Sequence, residues 1–145
     1  PDMALFIFTK NILEGKKINL FNYGNHIRDF TYIDDIVEPI LRLVNKAPRS
    51  IIKNKKKDPS ESSAPFKIYN IGNNDPKKLM DFVKAIESKL QKKAKINFMP
   101  LQKGDVYETY ADTSKIFKAT RYRSKIDINV GIGNFVDWFR KYYKC

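Results

Sequence analysis

The sequence has few of the residues that build disulfides and metal centres. Its single cysteine is the last residue, Cys145, and its single histidine is His26. One cysteine cannot form a disulfide within the chain, and this scarcity is typical of proteins kept in a reducing compartment. Structural metal sites need clustered Cys, His or carboxylate ligands, and the sequence has no such cluster. We therefore expect no disulfide, no bound metal and a cytoplasmic location.

Long apolar runs are also missing. No stretch approaches the roughly 18 to 20 apolar residues that a membrane-spanning helix needs. The short apolar segment 4–8 follows Asp2 and has neither a basic leader nor a cleavage site, so it does not read as a signal peptide. The hydrophobic share of 42% and the aromatic share of 13% are those of a folded protein. We predict one domain over residues 1–145, with no membrane partner.

Glycine is scarce, and no glycine-rich phosphate turn can be built from it. Among six glycines, Gly131 and Gly133 are the one close pair, and the third glycine of a Gly-x-Gly-x-x-Gly turn would fall at Val136. The pair also follows Asn129 rather than a long apolar strand, as the dinucleotide-binding turn requires. We interpret this segment as the start of a helix.

The chain is strongly basic, with a formal net charge of +12. A basic balance raises the possibility of nucleic-acid binding, which predicts an affinity that falls steeply with salt. The lysines are spread out, however, and many fall on the solvent faces of predicted helices, while the dense run 53–57 lies in a predicted loop. We expect no nucleic-acid partner, and a positive field that favours a doubly anionic small ligand.

The pattern of apolar residues predicts a mixed α/β fold with short strands and about four helices. In the first half we predict a helix from Met3 to Glu14 ended by Gly15, then strands Ile18 to Phe21 and Arg28 to Ile33. An Asp35/Glu38 capping pair would start a helix whose apolar face is Ile36, Val37, Ile40, Leu41 and Val44, with Pro39 in its first turns.

The second half begins with a polar loop at about 46–65. We then predict a strand Phe66 to Ile71, a helix capped by Asp75 with the stripe Leu79, Val83, Ile86 and Leu90, and a strand Lys95 to Met99. Leu101 to Tyr110 reads as a loop, and Asp112 as the cap of a short helix. A last helix runs from about Val130 to Tyr143.

The most informative segment is Arg28-Asp29-Phe30-Thr31-Tyr32-Ile33-Asp34-Asp35. It places an arginine at the mouth of a predicted strand, beside the loop 22–26. The planar guanidinium can meet two phosphate oxygens at once, which a lysine cannot do. The segment therefore predicts a phosphate contact at the edge of an α/β domain.

Taken in order, five segments resemble the C-terminal, substrate-binding part of the nucleotide-sugar epimerases of the extended short-chain dehydrogenase/reductase group, in particular UDP-glucuronate 4-epimerases. They are listed along the chain as Pro1 to Phe6, Arg28 to Ile36, Ser62 to Pro65 with Tyr69 to Asn73, Leu101 to Val106, and Thr109 to Ser114. The resemblance covers nearly the whole chain. It implies a small mixed α/β substrate-binding domain, with a variable loop at about 46–65.

The resemblance also implies what is missing. Family members bind NAD on an N-terminal Rossmann half and use a tyrosine with a lysine four positions later. No tyrosine in this sequence has that lysine; after Tyr122 the position is Ile126. We therefore expect half an enzyme, with no catalytic or NAD-binding residue and no activity alone. The start at Pro1-Asp2, without an initiator methionine, fits this expectation.

Seven substrate-binding candidates follow from the resemblance: Arg28, Asp105, Gln102, Leu20, Phe21, Met3 and Ala4. Arg28 would contact the diphosphate, with a surface salt bridge to Asp29 as the alternative. Asp105 after Gly104 would accept both ribose hydroxyls, with an ordinary turn aspartate as the alternative. Gln102 stands where related UDP-galactose epimerases have arginine, and matches the glucuronate branch.

The remaining candidates have equally plausible structural roles. Leu20 and Phe21 would meet uracil through backbone groups, or simply pack in a strand. Met3 and Ala4 would line the substrate, or pack at a helix start. We interpret Asp34, Asp35 and Asp112 as caps, His26 as a solvated loop histidine, and Trp138 and Tyr142 as core or interface residues.

The implied function is UDP binding within an NAD-dependent UDP-glucuronate 4-epimerase, which would interconvert UDP-glucuronate and UDP-galacturonate. The alternatives are another NAD-dependent nucleotide-sugar epimerase, dehydratase or decarboxylase, or a non-catalytic UDP-sugar-binding module. By resemblance the full-length protein would be a homodimer serving polysaccharide biosynthesis, and this fragment a monomer.

Overall fold

A computed structural model describes residues 3–49 and 58–145. The chain divides into two compact units: the first comprises Pro1–Phe30, Asp75–Tyr110 and Ile126–Cys145, and the second Thr31–Asn74 and Ala111–Lys125. The expectation of one domain over residues 1–145 stays a prediction. The predictions made for Pro1-Asp2 and for the lysine run 53–57 lie outside the described residues.

Nine elements follow one another along the described chain. They are α1 (Ala4–Leu13), β1 (Lys17–Leu20), β2 (Ile27–Arg28), α2 (Ile33–Leu43), β3 (Lys77–Lys78), α3 (Leu79–Leu90), β4 (Lys95–Phe98), α4 (Ser114–Thr120) and α5 (Ile128–Tyr143). A short 3₁₀ turn, Phe21–Gly24, joins β1 to the segment before β2. The mixed α/β class predicted from the sequence is confirmed.

Two short sheets organise the first unit. β1 pairs in parallel with β4, with Ile18 opposite Ile96. β2 pairs antiparallel with β3, which sets Arg28 opposite Lys77. The other edge of β2 is covered by the loop after β4, because the Ile27 N–H donates to the Tyr107 carbonyl at 3.1 Å. This loop is therefore fixed beside Arg28.

The core of the first unit lies between helices α1, α3 and α5 and strand β1. Its largest fully buried side chains include Ile12, Ile18, Leu20, Ile86 and Val136. Phe30 stacks on Phe82 with ring centroids 4.3 Å apart, which ties the end of the β2 segment to α3. The stripe predicted for α3 is confirmed at Val83, Ile86 and Leu90, and Leu79 packs against the same core.

The predicted bounds of α1 agree with the structure, with Met3 and Glu14 flanking the helix. Gly15 has a φ of 68°, so the left-handed residue that ends the helix is the predicted one. β1 begins and ends one residue before its predicted bounds. The last helix begins at Ile128 rather than Val130, because the Asp127 side chain accepts the Asn129 N–H and caps it.

In the second unit, the predictions around α2 are partly wrong. Helix α2 starts at Ile33, so the strand expected over Arg28 to Ile33 is only two residues long. Asp35 lies inside the helix and is buried rather than capping it. Pro39 is also in the helix interior, past its first turns.

Of three further sequence predictions, the apolar face of α2 is confirmed, and the strand Phe66 to Ile71 and the Asp75 cap are wrong. The predicted apolar face of α2 exists, yet Val37, Ile40, Leu41 and Val44 are exposed. Within the described residues, the stretch predicted as strand Phe66 to Ile71 forms an isolated bridge between Glu61 and Lys67 and no strand. Asp75 does not cap α3, since β3 lies between them.

Among the described residues, none of the helices is both long and apolar enough to cross a membrane.

Candidate functional site

Arg28 and Asp105, the two leading candidates from the sequence, form an ion pair in the first unit. Arg28 ends β2, and Asp105 lies in the loop after β4, 77 residues later. The Arg28 Nη2 donates to Asp105 Oδ1 at 2.9 Å. The ion pair therefore places a guanidinium, which can bind phosphate, next to a carboxylate, which can accept hydrogen bonds from hydroxyl groups.

A tight turn brings Asp105 back towards β2. Gly104 has a φ of 84°, in the left-handed region that favours glycine. The Asp105 N–H closes the turn by donating to the Gln102 carbonyl at 3.1 Å. Gln102 therefore contributes its backbone here, and its side chain is exposed.

The Arg28 fork is fully engaged by protein oxygens. Nη1 donates to the Ile27 carbonyl at 3.0 Å and to the Tyr107 carbonyl at 2.9 Å. Nη2 donates to the Val106 carbonyl at 2.7 Å as well as to Asp105. These four bonds use all four protons of the two terminal nitrogens and leave only Nε–H. Arg28 anchors the loop, and its positive charge stays at the surface of the site. The ion pair that the structure shows for Arg28 is the one with Asp105.

His26 is the residue whose place the sequence interpretation missed. It is buried, with 3% of its surface exposed, so the expectation of a solvated loop histidine is wrong. Its Nδ1 lies 3.1 Å from the Val106 carbonyl oxygen, and its Nε2 lies 3.3 Å from Asp105 Oδ2. The spacing of two residues from Arg28 could have found it, because residues i and i+2 of an extended segment share a face.

The other candidates lie on different parts of the first unit. Leu20 is fully buried, and its carbonyl accepts the Met99 N–H at 2.9 Å. Phe21 is partly buried at the start of the 3₁₀ turn, while Met3 and Ala4 are exposed at the start of α1. Within the part of the chain that the structure describes, these four share no hydrogen bond with the Arg28–Asp105 pair.

Two of the aspartates interpreted as caps, Asp112 and Asp35, have different hydrogen-bond partners. Asp112 accepts the Ser114 N–H at 2.9 Å just before α4, and this bond lowers the pKa of its carboxyl group. Asp35 instead accepts the Tyr122 hydroxyl at 2.6 Å and the Lys125 N–H at 3.1 Å inside the second unit. Burial, with that hydrogen bond, raises the pKa of Tyr122 to about 12.

The second unit also contains a cavity of about 180 Å³. Asp35, Gly72, Asn73, Tyr122 and Ser124 are among its lining residues. In residues 3–49 and 58–145, no group of three or more His, Cys, Asp or Glu side chains could hold a metal ion.

The first unit is mixed α/β and presents an arginine paired with a carboxylate beside a short sheet. The family model described as GDP-mannose 4,6 dehydratase matches residues 4–135, and the chain belongs to that family.

Individual relatives agree with this assignment. The chain is 51% identical over 146 residues to Protein CapI of Staphylococcus aureus, covering 99% of this chain and 44% of that protein. It is 40% identical over 148 residues to UDP-glucuronate 4-epimerase 2 of Arabidopsis thaliana, covering 99% of this chain and 33% of that protein.

Solved structures give the same fold. The UDP-glucuronic acid 4-epimerase of Bacillus cereus, in complex with UDP-glucuronic acid and NAD, matches with a TM-score of 0.79 and 27% identity. The match covers 99% of this chain and 41% of that one. The chain thus spans less than half the length of the relatives it matches, and corresponds to the C-terminal part of such enzymes.

Proposed function

We propose that this chain supplies the UDP-binding part of an NAD-dependent UDP-glucuronate 4-epimerase. The single observation that carries the proposal is the Arg28–Asp105 pair, built from two separate segments. Relatives named UDP-glucuronate 4-epimerase match 99% of the chain, which supports this choice of substrate.

Within the site, each candidate has a role that its position supports. Arg28 provides positive charge for the diphosphate, and Asp105 provides acceptor oxygens for the ribose hydroxyls. Since the Arg28 fork is engaged by carbonyls, the diphosphate would meet its Nε–H or replace one of those carbonyl contacts. Gln102 lies one turn away from Asp105 and would face the same ligand.

Leu20 and Phe21 would contact uracil, and Met3 and Ala4 would line the sugar side. The Leu20 side chain is held in the core, so only its backbone and that of Phe21 are suited to base recognition. These assignments give the chain a binding role. Remote contacts to the nucleotide would position the reacting carbon without touching it.

The residues of this chain do not fit NAD, because the chain has no glycine-rich turn before a helix and no Tyr/Lys pair at the family's spacing. NAD, held by the rest of the full-length protein, would take a hydride from the sugar C4 and return it. Holding UDP while leaving the sugar free to turn is this chain's part in that reaction.

Titration calorimetry with UDP-glucuronate tests the proposed site. We expect Arg28→Ala to weaken binding about ten- to hundredfold, because a charge-assisted contact is lost. Arg28→Lys keeps the positive charge but not the planar guanidinium, so its affinity should lie between those of the unaltered chain and Arg28→Ala. Arg49→Ala, which removes an exposed arginine elsewhere, is the charge-matched control.

Binding by Arg28→Ala as tight as that of the unaltered chain would contradict the proposal. Affinity for DNA or RNA that falls steeply with salt and ignores free UDP would favour the nucleic-acid alternative instead.

The family model's description, GDP-mannose 4,6 dehydratase, keeps the related reactions as the second candidate. Another NAD-dependent nucleotide-sugar epimerase, a dehydratase or a decarboxylase would use the same nucleotide site, as would a non-catalytic UDP-sugar-binding module. A panel of UDP-, GDP- and dTDP-sugars in the same calorimetric assay shows which nucleotide and sugar the site prefers, and we expect UDP-glucuronate to bind most tightly. The products that the full-length protein forms with NAD then distinguish the reactions from one another and from a non-catalytic module.

A further inference from the structure

His26 is a buried imidazole that the proposed binding roles leave unused. It is the only histidine of the chain, directly precedes β2, and is 3% exposed. Both of its ring nitrogens face the loop that carries the proposed ribose ligand. The ring therefore contacts the Asp105 carboxylate and can influence its orientation.

The contact to Val106 fixes which ring nitrogen carries the proton. A carbonyl oxygen can only accept, so Nδ1, at 3.1 Å from the Val106 oxygen, must be the donor. In a neutral ring Nε2 then holds a lone pair. That lone pair lies 3.3 Å from Asp105 Oδ2 and makes no hydrogen bond within the described chain.

A neutral Nε2 and the carboxylate oxygen are two acceptors, which repel each other at this distance. Protonation therefore changes the His26–Asp105 contact from a repulsive one to an ion pair at 3.3 Å. Asp105 Oδ1 is already held by Arg28 at 2.9 Å, so the two cations would fix both carboxylate oxygens.

The other charged groups near His26 are paired or lie further along the strands. On β3, Lys78 is opposite Ile27, and Lys77 is opposite Arg28 and pairs with Asp75 at 2.8 Å. From the loop, Glu108 bridges to Ile27. Asp105 is the carboxylate within ion-pair distance of the ring.

We propose that His26 is a positioning residue for Asp105, and that its protonation holds the carboxylate in the orientation that accepts the ribose hydroxyls. The role rests on the proposed UDP-sugar function. His26 contacts the loop at Val106 and Asp105, so it acts through Asp105.

The sign of the pH effect follows directly. The protonated ring holds Asp105 and adds positive charge near the diphosphate, so UDP-sugar affinity should be higher at low pH. It should fall as the ring loses its proton at higher pH. UDP-glucuronate suits this test because its diphosphate does not change charge as the ring titrates.

The first arm of the test needs no ligand. In the chain labelled with ¹⁵N-histidine, the single imidazole gives one assignable pair of nitrogen resonances. We expect Nδ1 to remain protonated at pH 8 and Asp105→Asn to shift the Nε2 resonance at pH 6. Glu108→Gln, which removes a charge from the same loop, should leave Nε2 close to its original position. A neutral ring protonated on Nε2, or an Nε2 resonance indifferent to Asp105→Asn, would overturn the proposal.

The second arm measures UDP-glucuronate affinity from pH 6 to pH 8. We expect the unaltered chain to lose about fivefold in affinity across this range. His26→Gln keeps a non-titrating donor and should bind with little pH dependence, near the low-pH affinity. His26→Leu removes the donor and should bind weakly and evenly at all pH values. If His26→Leu fails to fold, the pH dependence of UDP-glucuronate affinity in His26→Gln still tests the proposal. An affinity that does not change with pH supports it, and a fivefold loss retained in His26→Gln contradicts it.

The two arms separate this inference from the function it rests on. If the chain binds no UDP-sugar at any pH while Nε2 responds to Asp105→Asn, the proposed function fails and the His26–Asp105 coupling stands. If UDP-glucuronate binds with an Arg28-dependent affinity but Nε2 does not respond, the coupling fails and the proposed function stands.

Discussion

At the scale of single residues, Arg28 combines two tasks that are usually separated. Its terminal nitrogens hold the 105–107 loop through Asp105 and two carbonyls, and its charge faces the proposed ligand. Replacing it removes both the loop anchor and the charge. For this reason Arg28→Lys, which keeps the charge without the fork, is more informative about the site than alanine alone.

The buried pair Tyr122 and Asp35 gives the second residue-scale expectation. Tyr122→Phe removes a donor 2.6 Å from a carboxylate that is 1% exposed. Leaving a buried acceptor short of a donor costs about 1–3 kcal/mol, so we expect a loss of that size in unfolding free energy at pH 7. Urea unfolding followed by circular dichroism measures it.

The same pair predicts a dependence on alkaline pH. The pKa of Tyr122 is raised to about 12 in the folded state, by burial first and then by Asp35. A raised pKa stabilises the fold below the unfolded value, about 10, and this stabilisation is lost as pH rises towards 12. The difference from Tyr122→Phe should therefore shrink above pH 10. Tyr142→Phe, at an exposed hydroxyl, should differ by less than about 0.5 kcal/mol, and an equal loss in both variants would contradict the pairing.

Sequence chemistry predicted part of the candidate site, but burial depended on distant contacts. Arg28 was identifiable because a guanidinium fork suits phosphate, and Asp105 because its segment resembles the family's ribose-binding loop. His26 and Asp35 were misplaced because their partners, Val106 and Tyr122, lie 80 and 87 positions away. The spacing of two residues from Arg28 could have placed His26 on the same face, but a local pattern does not identify partners at that separation.

At the scale of elements, helix ends are where local chemistry determines the structure. The Asp127 carboxylate accepts the Asn129 N–H at 2.8 Å at the start of α5, and that bond lowers the pKa of Asp127. Asp127→Ala should cost about 1 kcal/mol in unfolding free energy, while Asp127→Asn, which can still cap, should cost less. Because a lowered pKa stabilises the fold above the unfolded value near 3.9, the cap's contribution should disappear as pH falls through the folded value. Urea midpoints of the two variants at pH 7 and pH 3 test this, and equal midpoints at pH 7 would contradict a capping role.

For two elements, the sequence pattern did not predict the burial or the pairing of the described residues. The i, i+3, i+4 spacing in α2 predicted its apolar face correctly, but Val37, Ile40 and Leu41 are exposed. Periodicity shows that a helix has an apolar side, and only tertiary structure shows what covers it. A strand likewise needs a neighbour, and the segment after Pro65 has only one bridge.

At the scale of the whole molecule, the chain corresponds to less than half of the length of its relatives, and its proposed role is that of this part alone. The matched stretch is 44% of Protein CapI, so that relative is more than twice as long. The net charge of +12 favours an anionic ligand and does not supply a reacting group. The proposed role of this chain is therefore the binding of a nucleotide-sugar.

Our last expectation is that the 145-residue chain is enough for binding, whereas turnover needs the longer protein. The 145 residues should bind UDP-glucuronate but, with NAD added, form no UDP-galacturonate, because no Tyr/Lys pair at the family's spacing is present. The native gene product should have an intact mass more than twice 17.0 kDa and should catalyse the conversion.

In that longer protein, Arg28→Ala should lower kcat/KM chiefly through a higher KM, since the contact lies on the nucleotide and away from the reacting carbon. Turnover by the 145 residues alone would refute the division of roles. A native product near 17.0 kDa would make a UDP-sugar-binding module the correct description, because a chain of that length has no place for the reacting half.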